Sequence, residues 1–256
     1  MSASPLLNDR RCLTVPVPSG RLAVWQVGAG PDVVLVHGGT STAQTDWQSV
    51  LPYLSERFRV TLFDHRGHGR SLGFDAGIGM ERFGLDLLLV MRFLGIDAAA
   101  LVGFSVGGNS LLKLLARRPE VARALVTIGS AARGEPERVR KIMSGPWLEA
   151  LVELEHGEAQ DADHWMRIRE ALAHDWATDL QLSGDEVARI DCPALICHGD
   201  GDRIQTLEQA LELARLLPAS QLFVVPRAGH MAQVDRPDLV GPALVEFLGQ
   251  ALEGPG

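Results

Sequence analysis

Five residues, Gly103-Phe104-Ser105-Val106-Gly107, carry the strongest chemical signal in this sequence; they follow the apolar run AALV and precede a helical stretch. A glycine two residues to either side of a serine lets a strand turn sharply into a helix and lifts the hydroxyl above the sheet edge. The start of that helix aims unsatisfied N–H groups and partial positive charge at any anion that forms there. An alkyl hydroxyl is a poor nucleophile at neutral pH, so Ser105 needs a base, and the base needs a carboxylate to orient it. Among eight histidines, His230 fits best: it follows the apolar run LFVV, sits in the glycine-containing loop RAGHMAQ and precedes the last helix. For the acid, Asp200 and Asp202 both stand in the loop HGDGDRI, and either could reach an imidazole. A fourth part is His37-Gly38-Gly39-Thr40, where the Gly39 N–H can pair with that of Val106 around a developing oxyanion.

Those residues must be positioned by a scaffold, and the hydrophobic pattern supplies one. Apolar runs at 12–17, 22–27, 32–37, 59–63, 98–104, 124–129, 194–198 and 222–225 read as strands. Helical patterns at 47–54, 80–94, 108–117, 206–217 and 239–252 alternate with most of them. This rhythm predicts an α/β fold: a mostly parallel eight-stranded sheet flanked by helices, with an antiparallel hairpin at its start. The serine, the acid loop and the histidine then fall in the order expected for successive strand ends of one sheet. The rhythm breaks from 133 to 190, where no strand pattern appears and three of the five tryptophans, Trp147, Trp165 and Trp176, are found. They either pack a small core of that insert or line a cavity beneath a helical lid.

Composition narrows the function further. The 256 residues are 46% hydrophobic and 22% charged, the ordinary balance of a soluble globular protein. A formal net charge of -8 argues against a nucleic-acid partner, whose phosphates ask for clustered cations. No apolar run is long enough to cross a bilayer, so no membrane partner is expected. The N-terminus lacks the basic and long apolar segments of a secretory signal, and Cys12, Cys192 and Cys197 cannot all pair within one chain; a reduced, cytoplasmic protein is expected. No His/Cys/Asp cluster has metal-ligand spacing, so neither metal nor cofactor is expected. His37 and His198 end strands and read as structural, while His65 and His68 lie in the loop DHRGHGRS after the fourth strand. His156, His164 and His174 fall in the insert, either solvated or behind the site.

Taken together, HGGT at 37–40, DHRGHGRS at 64–71, GFSVGG at 103–108, GDGDR at 199–203 and AGH at 228–230 give a sequence that resembles the α/β-hydrolase superfamily from about residue 22 to 248. In that family the acid usually stands three residues after the glycine of its loop, which implies Asp202 rather than Asp200. The resemblance also implies that 133–190 is a helical cap over the pocket, with 1–132 and 191–256 forming the core. Phe104 and Val106 depart from the residues many members carry beside the nucleophile, but neither change removes a backbone donor. A serine at 105 argues against the dehalogenase and epoxide-hydrolase branches, which carry Asp there. The expectation is a metal-free serine hydrolase for a carboxylic ester or lactone with an apolar portion. Its triad is Ser105, Asp202 and His230, its oxyanion donors Gly39 and Val106, and its pocket is walled by Phe104, Trp147, Trp165 and Met231. The same triad also serves thioester or carbon–carbon bond hydrolysis, acyl transfer and perhydrolysis, and a non-catalytic receptor is the alternative from another class. The protein is expected to act on a small molecule as a monomer or homodimer.

Overall fold

The computed structural model describes residues 11–71, 77–143 and 162–253. Eight strands form one sheet: β1 (Leu13–Val17), β2 (Gly20–Val27), β3 (Asp32–Val36), β4 (Arg59–Phe63), β5 (Ala99–Phe104), β6 (Ala122–Ile128), β7 (Ala194–Gly199) and β8 (Ser220–Val225). Their order across the sheet is β1-β2-β4-β3-β5-β6-β7-β8. Antiparallel pairing is confined to β1 with β2 and β2 with β4; every later pair is parallel. The central strands are apolar on both faces because both faces are covered. Val33 and Leu35 of β3 point into one core with Ala100 and Val102 of β5. Val34 and Val36 point into the other, with Leu101. The predicted α/β sheet is the one observed, and all eight strands fall on the apolar runs.

The helices depart from the sequence reading in one instructive place. The pattern at 47–54 predicts one helix, but the chain forms two short ones, α1 (Ala43–Trp47) and α2 (Leu51–Ser55). Pro52 has no N–H to give a preceding turn, and it sits at the start of α2, where that loss costs nothing. The side chain of Thr42 caps α1 by accepting from the Thr45 N–H. Further along are α3 (Met80–Phe93) and α4 (Val106–Leu115), then α5 (Pro136–Met143) and α6 (Ala162–His174), which runs into a π turn at Asp175–Asp179. Then come α7 (Gly184–Val187), α8 (Leu207–Leu216), α9 (Ala232–Asp235) and α10 (Pro237–Glu253).

Among the described residues, 133–190 holds helices joined by short irregular stretches, with no strand beyond a single bridge between Arg133 and Gln181. Its apolar residues Val139, Trp165, Ile168, Leu172, Trp176 and Leu180 share a third cluster with Met80, Phe83 and Val106. Three polar ties fasten it to loops around the site. Arg138 donates to the carbonyls of Ile204 and Arg203 at 2.9 and 2.7 Å, and His164 Nε2 lies 2.8 Å from Gly67 O. Asp175 accepts from the Met80 N–H at 2.7 Å, capping α3 where Gly79 has no side chain to do so.

The loop DHRGHGRS, which the family resemblance implies is structural, is tied down by buried hydrogen bonds. Asp64 accepts from the N–H groups of Ala43 and Arg70, and Ser71 donates to Asp64 O while accepting from Ala23. Arg66 makes a two-pronged bond to Asp86 of α3, with both contacts 2.7 Å and both side chains nearly excluded from water. Removing one member of such a pair strands a buried charge. Asp86→Ala is expected to cost about 3–5 kcal/mol in urea unfolding, and the paired change Arg66→Met with Asp86→Leu clearly less. Burial lifts the Asp64 carboxyl to about 6, against the Arg70 and Ala43 hydrogen bonds. The unfolded chain, near 3.8, loses that proton first, so the stability Asp64 contributes is present below 3.8 and lost as pH rises through about 6. Asp64→Asn should therefore flatten the pH dependence of the urea midpoint across that window.

Candidate active site

Ser105 stands between β5 and α4 with φ 50 and ψ -120, a conformation that L residues avoid. Such strain costs about 1–3 kcal/mol and persists only where the surroundings enforce it. Here they do: Ser105 N–H donates to Ile128 O at 2.8 Å, and its carbonyl accepts from Asn109 N–H and Ser130 Oγ. The flanking glycines are sterically obligatory. A Cβ at Gly103 would lie 2.6 Å from the backbone of Gly108, and one at Gly107 would run into the carbonyl oxygens of Val36 and His37.

The turn aims the hydroxyl at the loops after β7 and β8. Ser105 Oγ lies 3.0 Å from His230 Nε2, and His230 Nδ1 lies 2.8 Å from Asp202 Oδ2. The other oxygen of Asp202 accepts from the N–H groups of Ile204 and Gln205 at 2.7 and 3.0 Å. Burial pushes the Asp202 carboxyl up, but the His230 bond and charge and the two N–H groups outweigh it and hold the acid below its usual range. Asp200 faces elsewhere. It accepts from the Ala228 N–H, and its bonds to the Arg227 and Ala228 backbone keep it ionised. Of the two acids left open by spacing, the structure brings Asp202 to the imidazole. Such a relay can pass the serine proton to the ring while the carboxylate steadies the cation.

Gly39 and Val106 also meet here: a Cβ on Gly39 would lie 2.7 Å from Val106 Cγ2 and 2.9 Å from Leu172 Cδ1. As the first residue of α4, Val106 keeps an N–H with no acceptor inside the helix. Around Gly38 and Gly39 the polar atoms are engaged one by one. His65 N–H donates to His37 Nε2 at 2.8 Å, which leaves the proton of that ring on Nδ1, donating to Gly38 O at 2.7 Å. Gly39 O lies 2.8 Å from His68 Nε2. Gly38 N–H donates to Asp46 at 2.7 Å. No described hydrogen bond uses the Gly39 N–H. Burial holds the His65 and His68 rings below the usual histidine range, as expected of structural residues.

Among the pocket residues expected from sequence, Phe104 packs beside Gly38 with its ring 5.0 Å from that of His230. Trp165 is packed edge-on against His68 at 5.3 Å, within the cluster that holds Val106. Met231 is half-buried against the core that includes Trp47. Trp147 lies outside the described residues. Among the described residues no group of three or more His, Cys, Asp or Glu is placed to hold a metal. No described helix is long and apolar enough to cross a membrane.

The family model of the alpha/beta hydrolase family matches residues 33–243, from the strand before HGGT to the last helix. The chain belongs to that family. A relative from Pseudomonas putida, 2-hydroxy-6-oxo-2,4-heptadienoate hydrolase, is 33% identical over 82% of this chain and 86% of its own. Among solved structures, a 2-hydroxy-6-oxo-6-phenylhexa-2,4-dienoate hydrolase from Rhodococcus is 25% identical with a TM-score of 0.78, over 93% of this chain and 99% of that one. The enol-lactonase of Burkholderia xenovorans is also 25% identical, with a TM-score of 0.73 over 92% and 99%. This chain is an alpha/beta-fold hydrolase.

Three polar residues around this hydrolase's site escaped the sequence reading: Asn109, whose Oδ1 accepts from Ala131 N–H, Ser130, and Asp46. Asp46 had a visible signal, since it is the sole Asp, Glu, Lys or Arg between Asp32 and Glu56. The two acids of the β7 loop separate cleanly by substitution. Asp202→Asn is expected to lower kcat on an activated aryl ester by about 10³–10⁴-fold, and Asp200→Asn to leave it within about threefold.

Proposed function

We propose that this chain is a serine hydrolase for a carboxylic ester or lactone with an apolar acyl portion, working through an acyl-enzyme intermediate. The observation that carries the reading is the unbroken relay from the Ser105 hydroxyl through His230 to Asp202; Gly39 and Val106, in close contact beside it, are assigned as the oxyanion donors. In the first half, Ser105 Oγ bonds to the acyl carbon as its proton passes to His230 Nε2. The carbonyl oxygen takes the negative charge and is met by the Gly39 and Val106 N–H groups. The tetrahedral species collapses, and the leaving alcohol takes the proton from His230. In the second half, water gives a proton to His230 and its oxygen attacks the acyl carbon; the acid leaves and the proton returns to Ser105. Asp202 holds the imidazole in the tautomer this exchange needs.

Residues 133–190 act in this proposal as a helical cap, with 1–132 and 191–256 as the core. Phe104, Val106 and Leu172 give the reacting carbon an apolar setting, and Trp165, Met231 and Trp147 are assigned to its walls. Hydrolysis of a carbon–carbon bond is the second reading, favoured by the activities for which the Pseudomonas and Rhodococcus relatives are named.

Wild-type protein and Ser105→Ala are assayed on aryl esters of increasing acyl length, on lactones, and on a 2-hydroxy-6-oxo-dienoate. Turnover of esters or lactones that vanishes in Ser105→Ala, with little change in melting temperature, is the expected outcome. Turnover of the dienoate alone would establish the second reading.

A further inference from the structure

Asp46 takes no part in the steps above, yet it is placed directly against the loop that supplies one oxyanion donor. It lies in α1 with no exposed surface, and one of its oxygens, Oδ2, accepts from the Gly38 N–H at 2.7 Å and from Ser41 Oγ at 2.5 Å. Its second oxygen has no hydrogen-bond partner among the described residues. A buried carboxylate with no cation bonded to it is a costly way to hold a loop, and it is tolerated where charge-assisted hydrogen bonds fix a geometry tightly. The geometry at stake is that of two successive peptides. Asp46 holds the N–H of the first, and His37 holds the carbonyl of the second, whose N–H is that of Gly39. Because a peptide is planar and trans, anchoring these two groups fixes where the Gly39 N–H points.

We propose that Asp46 is a positioning residue for the oxyanion hole: its carboxylate pins the Gly38 peptide and thereby keeps the Gly39 N–H beside that of Val106. The inference rests on the reading of Ser105 as nucleophile. A donor displaced by about 1 Å loses on the order of 10²-fold in rate, so Asp46 acts on kcat without touching substrate.

The test measures p-nitrophenyl butyrate hydrolysis together with inhibition by an aryl trifluoromethyl ketone, whose hemiketal oxygen takes the place of the oxyanion. Asp46→Ala is expected to lower kcat by about 100-fold with KM within about threefold, and to raise the ketone's Ki by a matching factor. Asp46→Asn keeps an oxygen that accepts from Gly38 and should stay within about tenfold of wild type. Asp46→Leu, of similar shape and without a buried charge, replaces the alanine variant where that one fails to fold. Three results overturn the proposal: kcat within about threefold of wild type in Asp46→Ala or Asp46→Leu, kcat falling without Ki rising, or Asn losing as much as Ala. Ser105→Ala runs alongside. If it keeps turnover, the nucleophile reading itself fails; if it is inactive while Asp46→Ala is fully active, only this inference fails.

Discussion

The backbone of Ser105 is held in a left-handed conformation at the tightest turn of the molecule, and the rest of the site is arranged around that strain. β5 delivers the residue, α4 departs from it, and the two come so close that Gly103 and Gly108 face each other with no room for a side chain. Strand β3 passes so near that Gly107 must also be bare. A relaxed turn would carry the hydroxyl away from the loops after β7 and β8 and would swing the first N–H of α4 out of line. The cost of the strained residue is met by the parallel ladder on both sides of β5, where fully buried apolar residues fill both faces. Stability of the sheet and competence of the turn are thus one problem.

Around that turn the protein uses buried polar groups to fix loops that have no regular structure of their own. His37 and His65 interlock, Asp64 gathers the N–H groups of Ala43 and Arg70, and Arg66 ties its loop to α3 through Asp86. The histidine and Asp64 bonds satisfy backbone groups that would otherwise be buried without a partner, which costs more than an ordinary hydrogen bond returns, and the Arg66–Asp86 pair neutralises two buried charges. The same economy explains why so many titratable groups near the site are displaced from their usual range. Burial raises Asp46 and Asp64 and lowers His65 and His68, while Asp202 alone among these buried acids is held low, because a ring and two N–H groups face it.

Legibility in the sequence followed the range of the interaction concerned. Strands show because a strand covered on both faces must be apolar along its buried length, as β5 is throughout and as β3 and β7 are apart from Asp32 and His198 at their ends. The elbow showed because only glycine tolerates its close approaches. The pattern at 47–54 predicts one helix because its apolar spacing continues across a break that Pro52 imposes. The role of Asp46 is not legible locally because it comes from Gly38, eight residues away along a loop whose path no local pattern states. Spacing left Asp200 and Asp202 equal; a family resemblance preferred the second, and the hydrogen bonds explain it, since Asp200 is occupied by Ala228.

What the linear order of residues determined was the alternation of strand and helix, the place of the strained turn, and the residue types able to share a proton at its tip. These depend on neighbours within a few positions, where burial period and steric room act directly. What folding alone decided was the meeting of positions 105, 202 and 230, the choice between two acids on one loop, and the packing of Leu172 and Trp165 against the core. Those outcomes depend on sheet order and on how loops distant in sequence settle against one another, and the energy that selects them comes from contacts no short segment contains.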